Sequence, residues 1–151
     1  MEKLNFPEYP FRIREEGGST MIFDFIRKKW VTMTPEEWVR QNMMMYLIHD
    51  MNYPAGLMKV EASLTVNKLR KRADIVVYSP AGIPVLAVEC KSPRVSLSYG
   101  TFEQLARYNL SLQVPLLIIT NGIKHYCCKV NLKSQTFEVL DSIPPFIRSP
   151  I

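Results

Sequence analysis

The chain has 151 residues, of which 47% are hydrophobic and 22% charged, proportions that suit a single globular domain over residues 1–151. Its longest apolar run, residues 114–119, is far shorter than the roughly 18 to 20 residues of a membrane-spanning helix, and no signal-peptide core follows Met1, so we expect a cytoplasmic protein. The net charge of +5 allows a polyanionic partner, while three cysteines and two histidines without metal-site spacing exclude a recognisable zinc site.

The N-terminal third predicts a hairpin followed by a helix. Residues 11–14 and 21–25 are strand-like and flank the turn sequence of residues 15–19, which is typical of a β-hairpin. Thr34 and Pro35 then mark the start of a helix that we expect to end near His49. Glu37 completes a capping box with Thr34, and we favour that role over a place near a metal. Apolar residues on nearly all sides predict that this helix is buried.

The middle of the chain predicts a β-meander. Residues 58–66 alternate with period two, residues 67–72 form a basic turn, and residues 73–79 and 83–91 are strands joined by a tight turn at residues 80–82. An irregular loop at residues 92–100 leads to a second helix, with Thr101 at or near its N-cap and its end near Leu112. Strands at residues 114–120, 125–130 and 136–140 follow, and Pro144, Pro145 and Pro150 predict an irregular tail. The order of elements predicts an α/β fold with a central mixed sheet flanked by helices and preceded by the hairpin.

Ionisable groups lie at the ends of two of these apolar strands. Strands buried on both faces carry charge only at a cost, unless the charge is paired, solvated or bound to a metal. The two-residue period places Glu89 and Lys91 on one face and Cys90 on the other. With the turn centred on residues 81 and 82, Asp74 falls opposite Glu89 or its neighbour, so the two carboxylates can converge.

This constellation is suited to phosphodiester chemistry. Asp74 and Glu89, with water and a phosphate oxygen, provide the oxygen ligands that Mg²⁺ prefers, and Mn²⁺ is an alternative. Such an ion polarises the phosphodiester and acidifies a bound water. Lys91 would orient that water or stabilise charge developing on the phosphate.

The same residues resemble the PD-(D/E)xK nuclease signature, here Ala73-Asp74 followed by Glu89-Cys90-Lys91. Together with residues 34–41, 71–76, 104–109 and 120–122, they are similar to the N-terminal nuclease domain of type I restriction enzyme R subunits, over about residues 34–128. The resemblance implies a restriction-endonuclease-like fold and a Mg²⁺-dependent DNA endonuclease. It also implies that Asp74 and Glu89 are metal ligands, that Lys91 is the catalytic lysine, and that Gln104 and Tyr108 form a QxxxY motif. Ala73 replaces the motif's proline, and no P-loop sequence occurs, so we expect no ATP-driven motor in these residues.

Several alternatives remain open. Gln104, Tyr108 and Arg72 are candidates for a DNA-facing surface, although Tyr108 alternatively packs under the loop at residues 92–100. The leading hypothesis is the nuclease; the second is a non-catalytic module on the same fold that binds nucleic acid or a partner protein, and the third is a nonspecific basic structural protein whose DNA binding depends on salt. We expect DNA as a partner, with a second copy of the chain or separate restriction-modification subunits as further candidates.

Overall fold

A computed structural model describes residues 1–147, which fold into two β-sheets and two α-helices. The first sheet contains β1 (Ile13–Glu16), β2 (Ser19–Asp24) and β3 (Lys29–Thr32), all antiparallel. The second contains β4 (Met58–Val66), β5 (Leu69–Tyr78), β6 (Pro84–Cys90), β7 (Leu116–Thr120), β8 (His125–Asn131) and β9 (Thr136–Leu140), in that spatial order. Only β6 and β7 run parallel, so the central sheet is mixed and the predicted α/β architecture is confirmed.

Helix α1 (Pro35–Met45) begins where the sequence predicts. Thr34 is the N-cap, and its Oγ1 accepts a hydrogen bond from the Glu37 backbone N–H at 3.0 Å. Beyond Met45 the helix widens into a π-helical turn, Tyr46–Asp50, so helical structure ends close to the expected His49. Met43 and Met44 are fully buried, which confirms that this helix lies inside the fold.

Two hydrophobic layers hold the helices against opposite faces of the central sheet. Helix α1 packs on the face that includes Ile75, Val88 and Cys90. Helix α2 (Tyr99–Asn109) packs on the other face, through Phe102 and Ala106 among others. Strands β5 to β7 are therefore covered on both sides, which explains their continuous apolar sequences.

Three sequence-based boundaries were wrong, each for a local reason. The N-terminal hairpin gains a third strand, β3, whose four residues are too short to signal a strand without their partner β2. The basic segment at residues 67–72 is mostly strand, because Asn67 and Lys68 both adopt positive φ and close the turn in two residues. Helix α2 begins at Tyr99 rather than after Thr101, because Ser98 Oγ accepts from the Thr101 N–H at 3.2 Å.

Within residues 1–147, no helix has the length and apolar character needed to cross a bilayer. The predicted irregular tail holds for Pro144 and Pro145, whereas Pro150 lies outside the described residues. Cys90, Cys127 and Cys128 are buried and unpaired, so they fill the core as small side chains.

Candidate functional site

Asp74 and Glu89 line one cleft of about 260 Å³ at the edge where β5 and β6 meet the two helices. Ile75 pairs with Val88 across these antiparallel strands, so the residue before Ile75 and the residue after Val88 are neighbours. Four carboxylates and two guanidinium groups line the cleft, which gives it an acidic character. Its lining residues are Glu36, Arg40, Glu61, Arg72, Ala73, Asp74, Val88, Glu89, Asn109 and Leu112.

The Asp74 carboxylate is held from two sides. Its Oδ2 accepts a hydrogen bond from the Cys90 backbone N–H at 2.7 Å, which ties β5 to the end of β6. Its Oδ1 accepts from Arg40 Nη2 at 2.9 Å. With 18% of the side chain exposed, Asp74 is oriented by these bonds yet still reaches solvent.

Glu89 and Lys91 share a face, as their spacing predicts. Lys91 Nζ lies 3.7 Å from Glu89 Oε1, and Glu89 Oε2 accepts from Asn109 Nδ2 at 2.8 Å. Cys90 points the other way into the core, where only 2% of it is exposed. Burial, reinforced by the charge of Asp74, raises the pKa of the Cys90 thiol well above its usual value, so it stays a neutral core group.

Arg40, on helix α1, connects the site to the interior. Besides Asp74, its guanidinium contacts Glu37 Oε1 at 2.9 Å and Glu61 Oε1 at 3.5 Å. Burial alone would lower the pKa of Arg40, but the carboxylates of Glu37 and Asp74 raise it overall, so the guanidinium is permanently charged. Among the described residues, its Nε has no hydrogen-bond partner.

A second arginine extends this network to the N-terminal sheet. The side chain and backbone of Arg27 donate to the Asp24 carboxylate at 2.6 and 2.7 Å, and Arg27 Nη2 donates to Glu37 Oε1 at 2.8 Å. Gln41 Nε2 also donates to Asp24, at 2.9 Å. Burial would raise the pKa of Asp24, but these hydrogen bonds lower it overall. The chain Asp24–Arg27–Glu37–Arg40–Asp74, hereafter the buried charge network, joins the small sheet to the cleft.

Glu61 marks an irregular point of the sheet beside the cleft. It has φ +52° in the middle of β4, a left-handed conformation that costs a non-glycine residue about 1 to 3 kcal/mol. It lies between the pairs Val60–Ile75 and Ala62–Ala73, at the level of Asp74. Its carboxylate approaches Arg27 at 3.3 Å and Arg40 at 3.5 Å, and the residue lines the cleft.

Glu36 is a further acidic group in the cleft wall. Partial burial, together with the nearby charge of Asp74, raises its pKa. A carboxyl group with a raised pKa beside another carboxylate indicates a local excess of negative charge.

The other predicted site residues fall into three situations. Arg72 lines the cleft, as a DNA-facing role requires. Gln104 and Tyr108 lie on the exposed side of α2 outside the cleft lining, and Tyr108 is 73% exposed, so it does not pack under the preceding loop. The interpretation of the Glu37 side chain as the second half of a capping box was wrong, because both arginines bind its carboxylate.

Sequence reasoning missed four polar cleft residues, one of which is Glu36 in the first turn of α1. Arg40 and Asn109 lie on helices for which the sequence interpretation followed the apolar residues and left these polar ones unassigned. Glu61 lies on β4, where the alternation of apolar and polar residues predicts a strand but no site. A usable signal was present for Arg40, since a buried helix rich in methionine also carries Glu37, Arg40, Gln41 and Asn42. Charged residues in such a helix require partners.

The carboxylate oxygens of Asp74 and Glu89 suit a divalent cation that keeps several of its waters better than one whose ligands all come from the protein. Within residues 1–147, no group of three or more His, Cys, Asp or Glu side chains is arranged to hold a metal. Asp74 and Glu89 each keep oxygen lone pairs beyond the hydrogen bonds described. Mg²⁺ commonly binds through one or two carboxylates and retains several waters, so these residues suit it.

Residues 35–144 match the family described as type I restriction enzyme R protein N terminus. The chain belongs to this family. The chain also resembles a solved fragment of a putative HsdR subunit of a type I restriction enzyme from Vibrio vulnificus YJ016. That likeness has a TM-score of 0.51 at 18% identity and covers 75% of this chain but 24% of the other, so it supports the fold alone. No curated protein matches the chain.

The family match covers both helices and the whole central sheet, including Asp74, Glu89 and Lys91. It begins after β3, so the N-terminal three-stranded sheet lies outside it. The buried charge network therefore joins the matched region to the N-terminal sheet.

Proposed function

We propose that this domain is a metal-dependent DNA endonuclease that hydrolyses phosphodiester bonds at the cleft between β5 and β6. One observation carries the proposal: Asp74 and Glu89 line the same cleft, with the Lys91 ammonium 3.7 Å from Glu89. Family membership supports the assignment of these residues to nuclease chemistry.

Each residue has a distinct role in this proposal. Asp74 and Glu89 would hold Mg²⁺, or Mn²⁺ in its place, which supplies Lewis acidity and an acidified water when bound. Lys91, one-third exposed, donates hydrogen bonds to the attacking water or to the phosphate oxygen that gains charge. Asn109 orients Glu89 through its 2.8 Å hydrogen bond, and Arg72 contributes positive charge to the cleft wall for a phosphate.

The proposed partners follow from the same chemistry. DNA is the substrate, and the basic residues before Asp74 favour its approach. Cutting both strands with one site per chain requires two copies or additional subunits, so we include a homodimer or separate restriction-modification subunits in the proposal.

A second candidate function is a binding module without catalysis. Arg40 donates to Asp74 at 2.9 Å, and a guanidinium at this carboxylate competes with a divalent cation. In that case the cleft binds DNA or a partner without hydrolysing it.

Cleavage of plasmid and branched DNA in Mg²⁺ or Mn²⁺ separates the two candidates. Asp74→Ala and Lys91→Ala should each lower the cleavage rate by about 10²-fold or more, since the first removes a proposed metal ligand and the second removes the proposed donor to the developing charge. Lys133→Ala, at the exposed turn between β8 and β9, removes the same charge as Lys91→Ala and should leave the rate unchanged. Equal residual cleavage in the wild type, Asp74→Ala and Lys91→Ala would assign the activity to a contaminant and favour the binding module.

A further inference from the structure

The outer face of the N-terminal sheet carries aromatic and arginine side chains side by side. Ile22 and Asp24 on β2 are fully buried, so Phe23, between them, faces away from the core. Trp30 pairs directly opposite Phe23 on β3, and on the other side the Phe23 backbone N–H donates a hydrogen bond to the Arg12 carbonyl at 2.9 Å. Phe25 follows at the end of β2. We call this set, Arg12, Arg14, Phe23, Phe25 and Trp30, the outer aromatic face.

Its side chains are stacked in a definite arrangement. The rings of Phe23 and Phe25 are parallel to within 5°, with centroids 5.1 Å apart, and Trp30 lies 5.5 Å from Phe23. The Arg12 guanidinium lies 4.7 Å from the Phe23 centroid, and that of Arg14 lies 4.2 Å from Trp30. Cation–π contact fixes each guanidinium over a ring while its N–H groups remain available to an anion.

Phe25 is the exposed end of the stack. It is 44% exposed, although a phenyl ring gains from burial, and Phe23 supports its inner side. A flat ring beside cationic guanidinium groups matches the two surfaces of an unpaired nucleotide, the base face and the phosphate.

We propose that the outer aromatic face binds single-stranded DNA, with a base stacked on Phe25 and phosphates on Arg12 and Arg14. Aromatic rings interleaved with basic side chains bind single strands in this way, because every base has a face that stacks and every nucleotide carries a phosphate. A duplex hides its base faces and would leave Phe25 unused. The choice of DNA as occupant rests on the proposed function, and the surface itself lies outside residues 35–144, which match the family.

The buried charge network connects the sheet that carries this face to the cleft. Arg27 lies two residues after Phe25 and binds Glu37, which contacts Arg40 of the cleft lining, and Glu61, which itself lines the cleft. A single strand held on the outer aromatic face would therefore be bound to a sheet that ion pairs join to the proposed cleavage site. The exposed Arg14–Glu16 pair, at 2.8 Å, is weak enough for a phosphate to replace Glu16.

Salt-dependent binding of a labelled oligothymidine, measured by fluorescence anisotropy in EDTA, tests the charged half of the proposal. The double variant Arg12→Gln/Arg14→Gln should lower the slope of log affinity against log salt by about 1.4, the value for two phosphate contacts on a single strand. The matched control Arg107→Gln/Lys133→Gln removes the same charge and another arginine that lies over a ring, Phe137, and should keep the wild-type slope. An unchanged slope in Arg12→Gln/Arg14→Gln would overturn the proposal.

Phe25→Leu tests the stacking half, since it removes the ring but keeps an apolar side chain that the fold tolerates. Affinity for the oligothymidine should fall about tenfold, with a much smaller loss for a duplex of the same length. Equal losses for both forms, or none, would rule out base stacking here. Because these measurements contain no catalytic metal, a protein that binds as described but never cleaves would remove the proposed function and leave this inference standing. A protein that cleaves DNA but fails these binding tests would overturn this inference and leave the proposed function standing.

Discussion

The two helices that flank the central sheet supply the cleft in opposite ways. Helix α1 sends charge inward: Glu37 and Arg40 are both buried, and Arg40 binds Asp74 directly. Helix α2 sends mostly apolar groups inward and contributes one amide, Asn109, while its Gln104 and Tyr108 face solvent. One carboxylate of the pair is thus fixed by a buried ionic network, whereas the other accepts one hydrogen bond from a neutral amide and lies 3.7 Å from the partly exposed Lys91 ammonium.

This difference predicts unequal consequences when each helix loses its contact. Removing a charge from the α1 side leaves other buried charges without a partner, whereas removing the α2 amide leaves a carboxylate that water can solvate.

The largest effect on stability is expected for Arg40→Met. Glu37 and Asp74 both lose a guanidinium partner in a buried setting, so the free energy of unfolding should fall by about 3 to 5 kcal/mol. Urea denaturation at unchanged m-value measures it. Arg107→Met on the exposed side of α2 is the matched control and should change stability by less than about 0.5 kcal/mol. Similar values for both variants would show that the network is not a stabilising unit.

The next effect concerns Asp24, at the far end of the same network. Its pKa is lowered in the folded state, so its contribution to stability is complete above the unfolded value of 3.8 and is lost as the pH falls through the lower folded value. Asp24→Asn should cost about 2 kcal/mol at neutral pH, as expected for hydrogen bonds to a charged group. It should also flatten the fall in stability below about pH 4. If stability falls below about pH 4 in the variant as steeply as in the wild type, the lowered pKa does not contribute to stability as described.

The contrast between the helices also explains what the sequence could and could not reveal. Asp74, Glu89 and Lys91 could be placed from strand periodicity and turn length, because both are local rules that the register of β5 and β6 obeys. Arg40 and Glu61 could not be placed, since Arg40 contacts Glu61 and Asp74, which lie 21 and 34 positions away, and Glu61 has a backbone conformation that alternation does not predict. The predicted capping box was half right for a related reason. Thr34 does cap the helix, but the Glu37 carboxylate binds arginine side chains instead of the backbone of Thr34.

On the α2 side, Asn109→Ala should have a smaller effect, about 1 kcal/mol of unfolding free energy, because Glu89 remains partly solvated after losing the amide. The cleavage rate should be affected more strongly than the free energy of unfolding, because the amide no longer orients Glu89. Comparison of urea midpoints with cleavage rates separates the two effects. A stability loss as large as that of Arg40→Met would mean that both carboxylates depend on buried partners, which would remove the contrast.

The smallest effect on stability is expected for Tyr108→Ala. Its ring is 73% exposed, so the free energy of unfolding should change by less than about 0.5 kcal/mol. If the QxxxY motif faces DNA as the family resemblance predicts, affinity for DNA should nevertheless fall about fivefold to tenfold, the effect of losing one stacking ring. Tyr108→Phe keeps the ring and should bind like the wild type, and Gln104→Ala reports on the other motif residue. Wild-type binding by both alanine variants would limit the α2 contribution to Asn109, because an exposed side chain that touches neither the core nor DNA has no remaining means of acting on the cleft.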